Sequence, residues 1–325
     1  MYKVLTLKPM AEFGYKMFAD NDCEVILSKG STEEDFIREI KENQVDAIFC
    51  RTDKITRAMI DASPNMKVVA KQGVGVDNIP VDYCTEKGIQ VVWAPGGNAN
   101  AVAEHTIMLM LMCSQRYRYV DKQMRRNNFE VRYTLHDTYE LKGRTLGILG
   151  CGRIGQLVAQ KAVHGFGMKV IGYDPIPSMN PLVHIDMMSE DEVIRNADIL
   201  SLHMPSLPST VHYLNYEKLS QMKPSAILIN CARGDVIVEM DLVKLLNEGK
   251  ILGAGLDVFD EEPLTIENPL LGMTKVVATP HTAATTIQSV ETCTRMAVQS
   301  TIESLHGMNV TYPYNRIVQT ARNLV

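Results

Sequence analysis

Short runs of β-branched and other apolar residues alternate with amphipathic segments along almost the whole chain. Lys3–Leu7, Glu24–Leu27, Ala47–Cys50, Val68–Ala70 and Gln90–Trp93 read as strands, and between them the stretch Glu33–Glu42 sets Phe36, Ile37 and Ile40 on one helical face. A second series follows, with strands expected at Thr145–Leu149, Lys169–Gly172, Ile199–Leu202, Ala226–Asn230, Ala254–Asp257 and Val276–Ala278. Strands and helices alternating at this spacing predict βαβ units and parallel sheets with helices on both faces. Between the two series, Asn98 to about Arg126 reads as one unbroken helix, and Ala283–His306 reads as a closing helix. A chain that ends on a helix after two α/β units could return to the first of them, making that domain discontinuous.

Composition narrows the function classes. Single cores stop growing near ~250–300 residues, so 325 residues imply two domains. Lys and Arg number 33 against 38 Asp and Glu, a net charge of −5 with no long run of one sign, so neither a nucleic-acid surface nor a membrane patch is expected. The longest strongly apolar stretch, Thr106–Cys113, is far short of the ~20 residues of a membrane span and predicts a buried helix. The opening MYKVLTLKPM has no secretory pattern, and the seven cysteines (Cys23, Cys50, Cys84, Cys113, Cys151, Cys231, Cys293) contain no C-x-x-C. They read as reduced, buried thiols of a cytoplasmic protein. The eight histidines show no metal-ligand spacing, and no metal is expected.

The strongest single motif is LGILGCGRIGQLVAQ. Gly150, Gly152 and Gly155 form G-x-G-x-x-G between an apolar run and a helical run, Ile154–Ala162. Such a loop needs Gly150 for a tight turn, Gly152 for close approach of a pyrophosphate to the backbone, and Gly155 for helix–strand packing, with the helix N-terminus facing the phosphates. The next strand ends at Asp174, 19 residues after Gly155. A carboxylate there can accept hydrogen bonds from the ribose hydroxyls and repels a 2′-phosphate, which favours NAD over NADP. An adenosyl-cofactor enzyme can also place an acid at this point, so the loop alone does not prove hydride chemistry.

Three later segments each follow an apolar run with ionisable residues: ILINCARGD with Arg233, GLDVFDEEP with Asp257 and Glu262, and TPHTAA with His281. Loops at the carboxyl ends of parallel strands form the ligand crevice, so these groups share an edge with the glycine loop. A guanidinium can hold a substrate carboxylate and polarise the adjacent carbonyl. An imidazolium can donate the proton as hydride arrives, and a neighbouring carboxylate favours the charged imidazole. Each residue also has a mundane alternative: Arg233 paired with Asp235, Glu262 as a solvated charge, His281 bonded to a backbone carbonyl.

The series GCGRIG, YDP, LHMPSLPST, NCARGD, GLDVFDEEP and TPHTA, with KQGVGVDNI and NANAVAEHT before it, resembles the D-isomer-specific 2-hydroxyacid dehydrogenases over essentially the whole chain. D-3-phosphoglycerate dehydrogenases are nearest within that family, and hydroxypyruvate/glyoxylate reductases come next. The resemblance implies an α/β fold of two doubly wound parallel-sheet domains: a Rossmann NAD-binding domain, 99–287, inserted in a flavodoxin-like substrate domain formed by 1–98 and 288–325. By the same resemblance Arg233 binds and polarises the substrate, Glu262 tunes His281, and His281 is the general acid/base. Arg153 and Ile154 would lie along the pyrophosphate beside the glycines, and Asp174 at the ribose. Met204 and Pro205 would border the adenine, while Cys231, Ala232, Asp257, His281 and Ala283 would face the nicotinamide half. Val74 and Gly75 would offer backbone N–H groups to the substrate carboxylate. The helix after Asn98 resembles the family's dimerisation element, so a homodimer is expected.

The substrate is the least constrained part. Arg51 stands where a phosphoglycerate enzyme would carry a phosphate-binding cation, Lys71 stands where the nearest such enzymes have arginine, and Arg132 is a further candidate. These favour 3-phosphoglycerate/3-phosphohydroxypyruvate, with hydroxypyruvate or glyoxylate as the alternative. The alternative for Arg51 is a surface pair with Asp53. No serine-responsive regulatory domain is expected after the last helix. A reading of another class is an NAD(H)-sensing, corepressor-like binding protein, against which the presence of Arg233, Glu262 and His281 argues.

Overall fold

The computed structural model describes residues 1–176 and 181–317. The chain divides into two compact units: Met1–Asn98 with the segment from Thr286 onward, and Ala99–Thr285. Thr286 caps the helix Ile287–Leu305 by accepting a hydrogen bond from the Ser289 N–H. Residues 318–325 of the expected return lie outside the described residues.

The first unit holds β1 (Tyr2–Thr6), β2 (Cys23–Leu27), β3 (Ala47–Cys50), β4 (Val68–Lys71) and β5 (Gln90–Val92), paired in parallel in the order β2-β1-β3-β4-β5. This is the flavodoxin-like order, whose ligand crevice lies where the order reverses, at β1 and β3. β3 and β4 are buried at every position, as a strand covered on both faces must be. One face is filled by Leu5, Ile48, Val69 and Val91 with the Phe36 side of the helix Glu33–Asn43. On the other, Val4, Phe49 and Val68 pack against Ala297, Val298 and Ile302 of the helix Ile287–Leu305. The last helix therefore returns to the first sheet.

The second unit holds β6 (Thr145–Leu149), β7 (Lys169–Tyr173), β8 (Asp186–Met187), β9 (Ile199–Leu202), β10 (Ile227–Asn230), β11 (Gly253–Leu256) and β12 (Val276–Ala278), in the order β12-β11-β10-β9-β6-β7-β8. All of its ladders are parallel. The chain reverses direction of growth between β6 and β9, so the loops after those two strands flank the switch point.

The segment after Asn98 departs from expectation. It is two helices, Ala99–Ser114 and Tyr117–Met124, broken where Arg116 takes the left-handed conformation (φ 52°) and pairs with Asp137. Its apolar stretch is not wholly buried either: Leu109, Met110 and Cys113 face the core, while Met108 and Leu111 are exposed. All seven cysteines are buried free thiols. Among the described residues no helix is long and apolar enough to cross a membrane, and no His/Cys/Asp/Glu group is arranged to hold a metal.

Candidate active site

The three loop glycines have separate steric duties. Gly150 has φ 96°, and a Cβ there would fall 2.7 Å from the His203 carbonyl across the switch point. A Cβ on Gly155 would fall 2.3 Å from the Gly150 carbonyl oxygen, so only hydrogen lets the helix Arg153–Phe166 start so close to β6. Gly152 is different: a Cβ there would meet nothing within 4 Å. It is the N-cap of that helix and provides no side-chain cap, so the helix's positive end opens onto bare backbone.

Asp174, one residue beyond β7, accepts hydrogen bonds from the Cys151 N–H at 2.8 Å and the Ile176 N–H at 2.8 Å, one on each oxygen. It thus anchors the glycine loop, a duty the motif spacing did not reveal. Each oxygen retains a lone pair that can accept from a hydroxyl. After β9, Met204 and Pro205 enter a turn closed by Thr210, whose hydroxyl donates to the Pro205 carbonyl at 2.6 Å. His203 went unnoticed in the sequence. Its Nε2 meets the Ser201 hydroxyl at 2.9 Å, its Nδ1 is buried without a partner among the described residues, and burial pushes its pKa down to about 4.

The loops after β10, β11 and β12 carry the ionisable trio. Asn230, fully buried at the end of β10, accepts from the Ala232 N–H at 2.9 Å and donates to the Arg233 carbonyl at 2.8 Å, so one amide sets the turn through Cys231, Ala232 and Arg233. A Cβ on Gly234 would fall 1.9 Å from the Phe259 carbonyl, so backbone rests on backbone between the Arg233 and Glu262 loops. Asp235, the alternative partner for Arg233, accepts instead from the Ser206 hydroxyl at 2.6 Å.

Asp257, 1% exposed, organises the third loop. Its carboxylate accepts from the Thr279 hydroxyl (2.6 Å), the Thr282 N–H (2.8 Å) and the Ala283 N–H (2.8 Å). The Thr279 hydroxyl also meets His105 Nε2 at 2.9 Å. Burial lowers the His105 pKa, against the opposing pull of the Asp257 charge. Within this loop His281 adopts φ 53°, a conformation uncommon outside glycine, with its N–H bonded to the Asp257 carbonyl at 2.8 Å.

That turn brings His281 Nδ1 to 2.7 Å from Glu262 Oε2, while Glu262 Oε1 accepts from the Phe259 N–H at 3.1 Å. Partial burial raises the Glu262 pKa, but these two hydrogen bonds and the charges of His281 and Arg233 together bring it below the usual carboxylate range. Burial pushes the neighbouring thiols Cys151 and Cys231 up to about 12, so neither supplies a thiolate at neutral pH.

The D-isomer specific 2-hydroxyacid dehydrogenase NAD binding domain model matches residues 107–283, which contain the glycine loop and all three ionisable residues. The chain belongs to this family. The D-3-phosphoglycerate dehydrogenase of Methanocaldococcus jannaschii is 38% identical over 94% of the chain and 58% of its own length. The chain thus spans little more than half of that curated relative. A glyoxylate reductase of Thermofilum pendens is 35% identical over 94% of the chain and 92% of its own length. Among solved structures, a protein from Thermus thermophilus superposes with a TM-score of 0.88 at 30% identity, covering 96% of the chain and all of that protein. The Ala99–Thr285 unit is the family's NAD binding domain, and its residues fit the dinucleotide: an open approach at Gly152, an uncapped helix N-terminus and spare acceptor capacity on Asp174.

Four of the remaining predicted residues lie apart from the trio in sequence and belong to the first unit. Val74 and Gly75 follow β4, where the neighbouring Gly73 carbonyl accepts from the Ala94 N–H at 2.9 Å. Arg51 follows β3, and Lys71 is the last residue of β4. Arg51 does not pair with Asp53, whose carboxylate lies 3.6 Å from Lys8. Arg132 belongs to the NAD binding domain, where its guanidinium stacks 4.6 Å from the Tyr133 ring centroid.

Proposed function

We propose that the protein is an NAD-dependent oxidoreductase interconverting a D-2-hydroxy acid and its 2-oxo acid. The observation that carries this reading is the His281–Glu262 pair at 2.7 Å, beside Arg233, in an NAD binding domain. Glu262 occupies Nδ1 of the imidazole and leaves Nε2 for the substrate oxygen. NAD(H), when bound, accepts or supplies the hydride. In the reductive direction His281 gives its Nε2 proton to the carbonyl oxygen; in the oxidative direction it takes the hydroxyl proton. Arg233 holds the substrate carboxylate and draws electron density from the carbonyl. The role proposed for Val74 and Gly75 is to offer backbone N–H groups to a substrate carboxylate. When NAD(H) is bound, Asp174 would receive the ribose, Arg153 and Ile154 would lie along the pyrophosphate, Met204 and Pro205 would border the adenine, and Cys231, Ala232, Asp257 and Ala283 would face the nicotinamide half.

For the substrate, 3-phosphoglycerate/3-phosphohydroxypyruvate is favoured because no ion pair or hydrogen bond among the described residues engages the Arg51 guanidinium, which leaves its fork available to a second anion. Hydroxypyruvate or glyoxylate is the second reading, because the Lys71 ammonium is already engaged by the Arg51 carbonyl and Asn78. A homodimer is supported by the exposed apolar side chains Met108, Leu111, Tyr117, Met124, Phe129 and Tyr133 on the segment after Asn98.

The deciding assay follows NADH consumption with 3-phosphohydroxypyruvate, hydroxypyruvate, glyoxylate and a branched 2-oxo acid, compared by kcat/KM. A large advantage for the phosphorylated substrate supports the first reading, and an advantage for hydroxypyruvate or glyoxylate replaces it with the second. NADH binding without turnover of any of them points to an unusual substrate or to the sensor.

A further inference from the structure

Lys71 is 8% exposed, and its ammonium points into the loop that follows β3. It donates to the Arg51 carbonyl and to Asn78 Oδ1, the latter at 2.6 Å. Asn78 continues the attachment: its Nδ2 donates to the Asp53 carbonyl at 2.6 Å, and its own carbonyl accepts from the Ile55 N–H at 2.8 Å. The backbone of residues 51–55 is thereby tied at Arg51, Asp53 and Ile55 to two polar side chains and one carbonyl. The Arg51 side chain is partly buried and has no hydrogen-bond or ion-pair partner among the described residues, although its charge is felt at the buried Cys293 thiol. The loop lies at the carboxyl end of β3, one of the two strands flanking the sheet's switch point.

Two cations at the ends of neighbouring strands would ordinarily be taken as a pair that share one anion. The hydrogen bonds divide their labour differently. An ammonium has three donors, and two of them are committed to oxygens of the loop. Swinging Lys71 toward a ligand would strand both oxygens in a buried setting. A guanidinium has five donors in a planar fork suited to phosphate or carboxylate, and that of Arg51 has no such commitment.

We propose that Lys71 and Asn78 are positioning residues that hold the Arg51 loop so that Arg51 alone meets the second anionic group of the substrate. The proposal rests on the reading that the substrate carries such a group, and it replaces the expectation that Lys71 is itself a ligand. Lys71 acts on specificity through the Arg51 backbone, and Asn78 does so without any charge.

The test is a set of variants, R51A, K71M, N78A and R51A/K71M, each assayed for kcat and KM with 3-phosphohydroxypyruvate and with glyoxylate, and checked for folding by circular dichroism. R51A should raise KM for the phosphorylated substrate by about tenfold or more, and by a larger factor than it raises KM for glyoxylate, which has no second anionic group. N78A, which keeps both cations, should shift KM in the same direction, and R51A/K71M should be no worse than R51A alone. A neutral N78A, or a double variant in which the two single effects multiply, makes Lys71 a direct ligand and overturns the proposal while leaving the substrate reading intact. An R51A protein unaffected with the phosphorylated substrate removes the substrate reading, and the proposal with it. If K71M does not fold, the N78A result decides alone.

Discussion

The carboxyl edges of the two sheets differ in how they treat the heads of their charged side chains. In the NAD binding domain the carboxylates of the site are themselves held, Asp257 by a hydroxyl and two backbone N–H groups and Glu262 by the Phe259 N–H and His281, while Asn230 sets the turn that carries Arg233. In the other unit the effort goes into the backbone behind one arginine, and the arginine's own fork is left uncommitted. Proton transfer tolerates little positional error, so His281, the group that carries the proton, is fixed side chain to side chain by Glu262. Recognition of a variable substrate tail needs only a rigid stem and an available head.

The sharpest break in that comparison comes from His281→Ala. It should lower kcat by ~10²–10⁴-fold while NADH binding, followed by fluorescence, stays near wild type. An equally active variant would sink the general acid/base role. Glu262→Gln comes next, with a smaller loss of kcat and a changed pH profile. The Glu262 carboxyl titrates below its ordinary range in the folded protein, so its charge persists at neutral pH and is lost only as pH falls through that lowered value. The wild-type activity should show an acid limb below the usual carboxylate range, and the variant should lack it.

Asp174→Ala should weaken NADH by roughly tenfold and improve the relative use of NADPH, since the acid that repels a 2′-phosphate is gone. An unchanged cofactor ratio, measured as relative kcat/KM, contradicts the ribose role. Because Asp174 also holds the Cys151 N–H, a lower melting temperature should accompany the change.

The smallest effect concerns stability. His203 is held neutral by burial, with its pKa lowered from 6.5 to about 4. Its contribution to stability is therefore present above its unfolded value and is lost as pH falls from 6.5 toward 4. Urea unfolding should show this decline, and His203→Gln should flatten it.

The fold class was readable because apolar runs of four or five residues bounded by polar segments have few other uses, and the glycine loop was readable because Gly150 and Gly155 leave no room for a Cβ. The helix break at Arg116 was not, since a left-handed arginine has neither glycine nor proline to announce it and depends on a partner, Asp137, 21 residues away. For the site, the order of motifs put Arg233, Glu262 and His281 on consecutive loops. The supports stayed hidden: Asn230 reads as a strand-end amide, Thr279 as a turn residue, and Lys71 as a cation like any other. Their work depends on which oxygen lies within hydrogen-bond reach after folding, and spacing along a chain does not encode that.

Gly234 has a consequence for how this protein can vary. Main chain touching main chain at Phe259 sets the gap between the arginine and glutamate loops without reference to any side chain around it. Core residues can drift through many substitutions without resetting that gap. A single methyl group at position 234 would wedge it open, so one hydrogen atom serves as the molecule's gauge block.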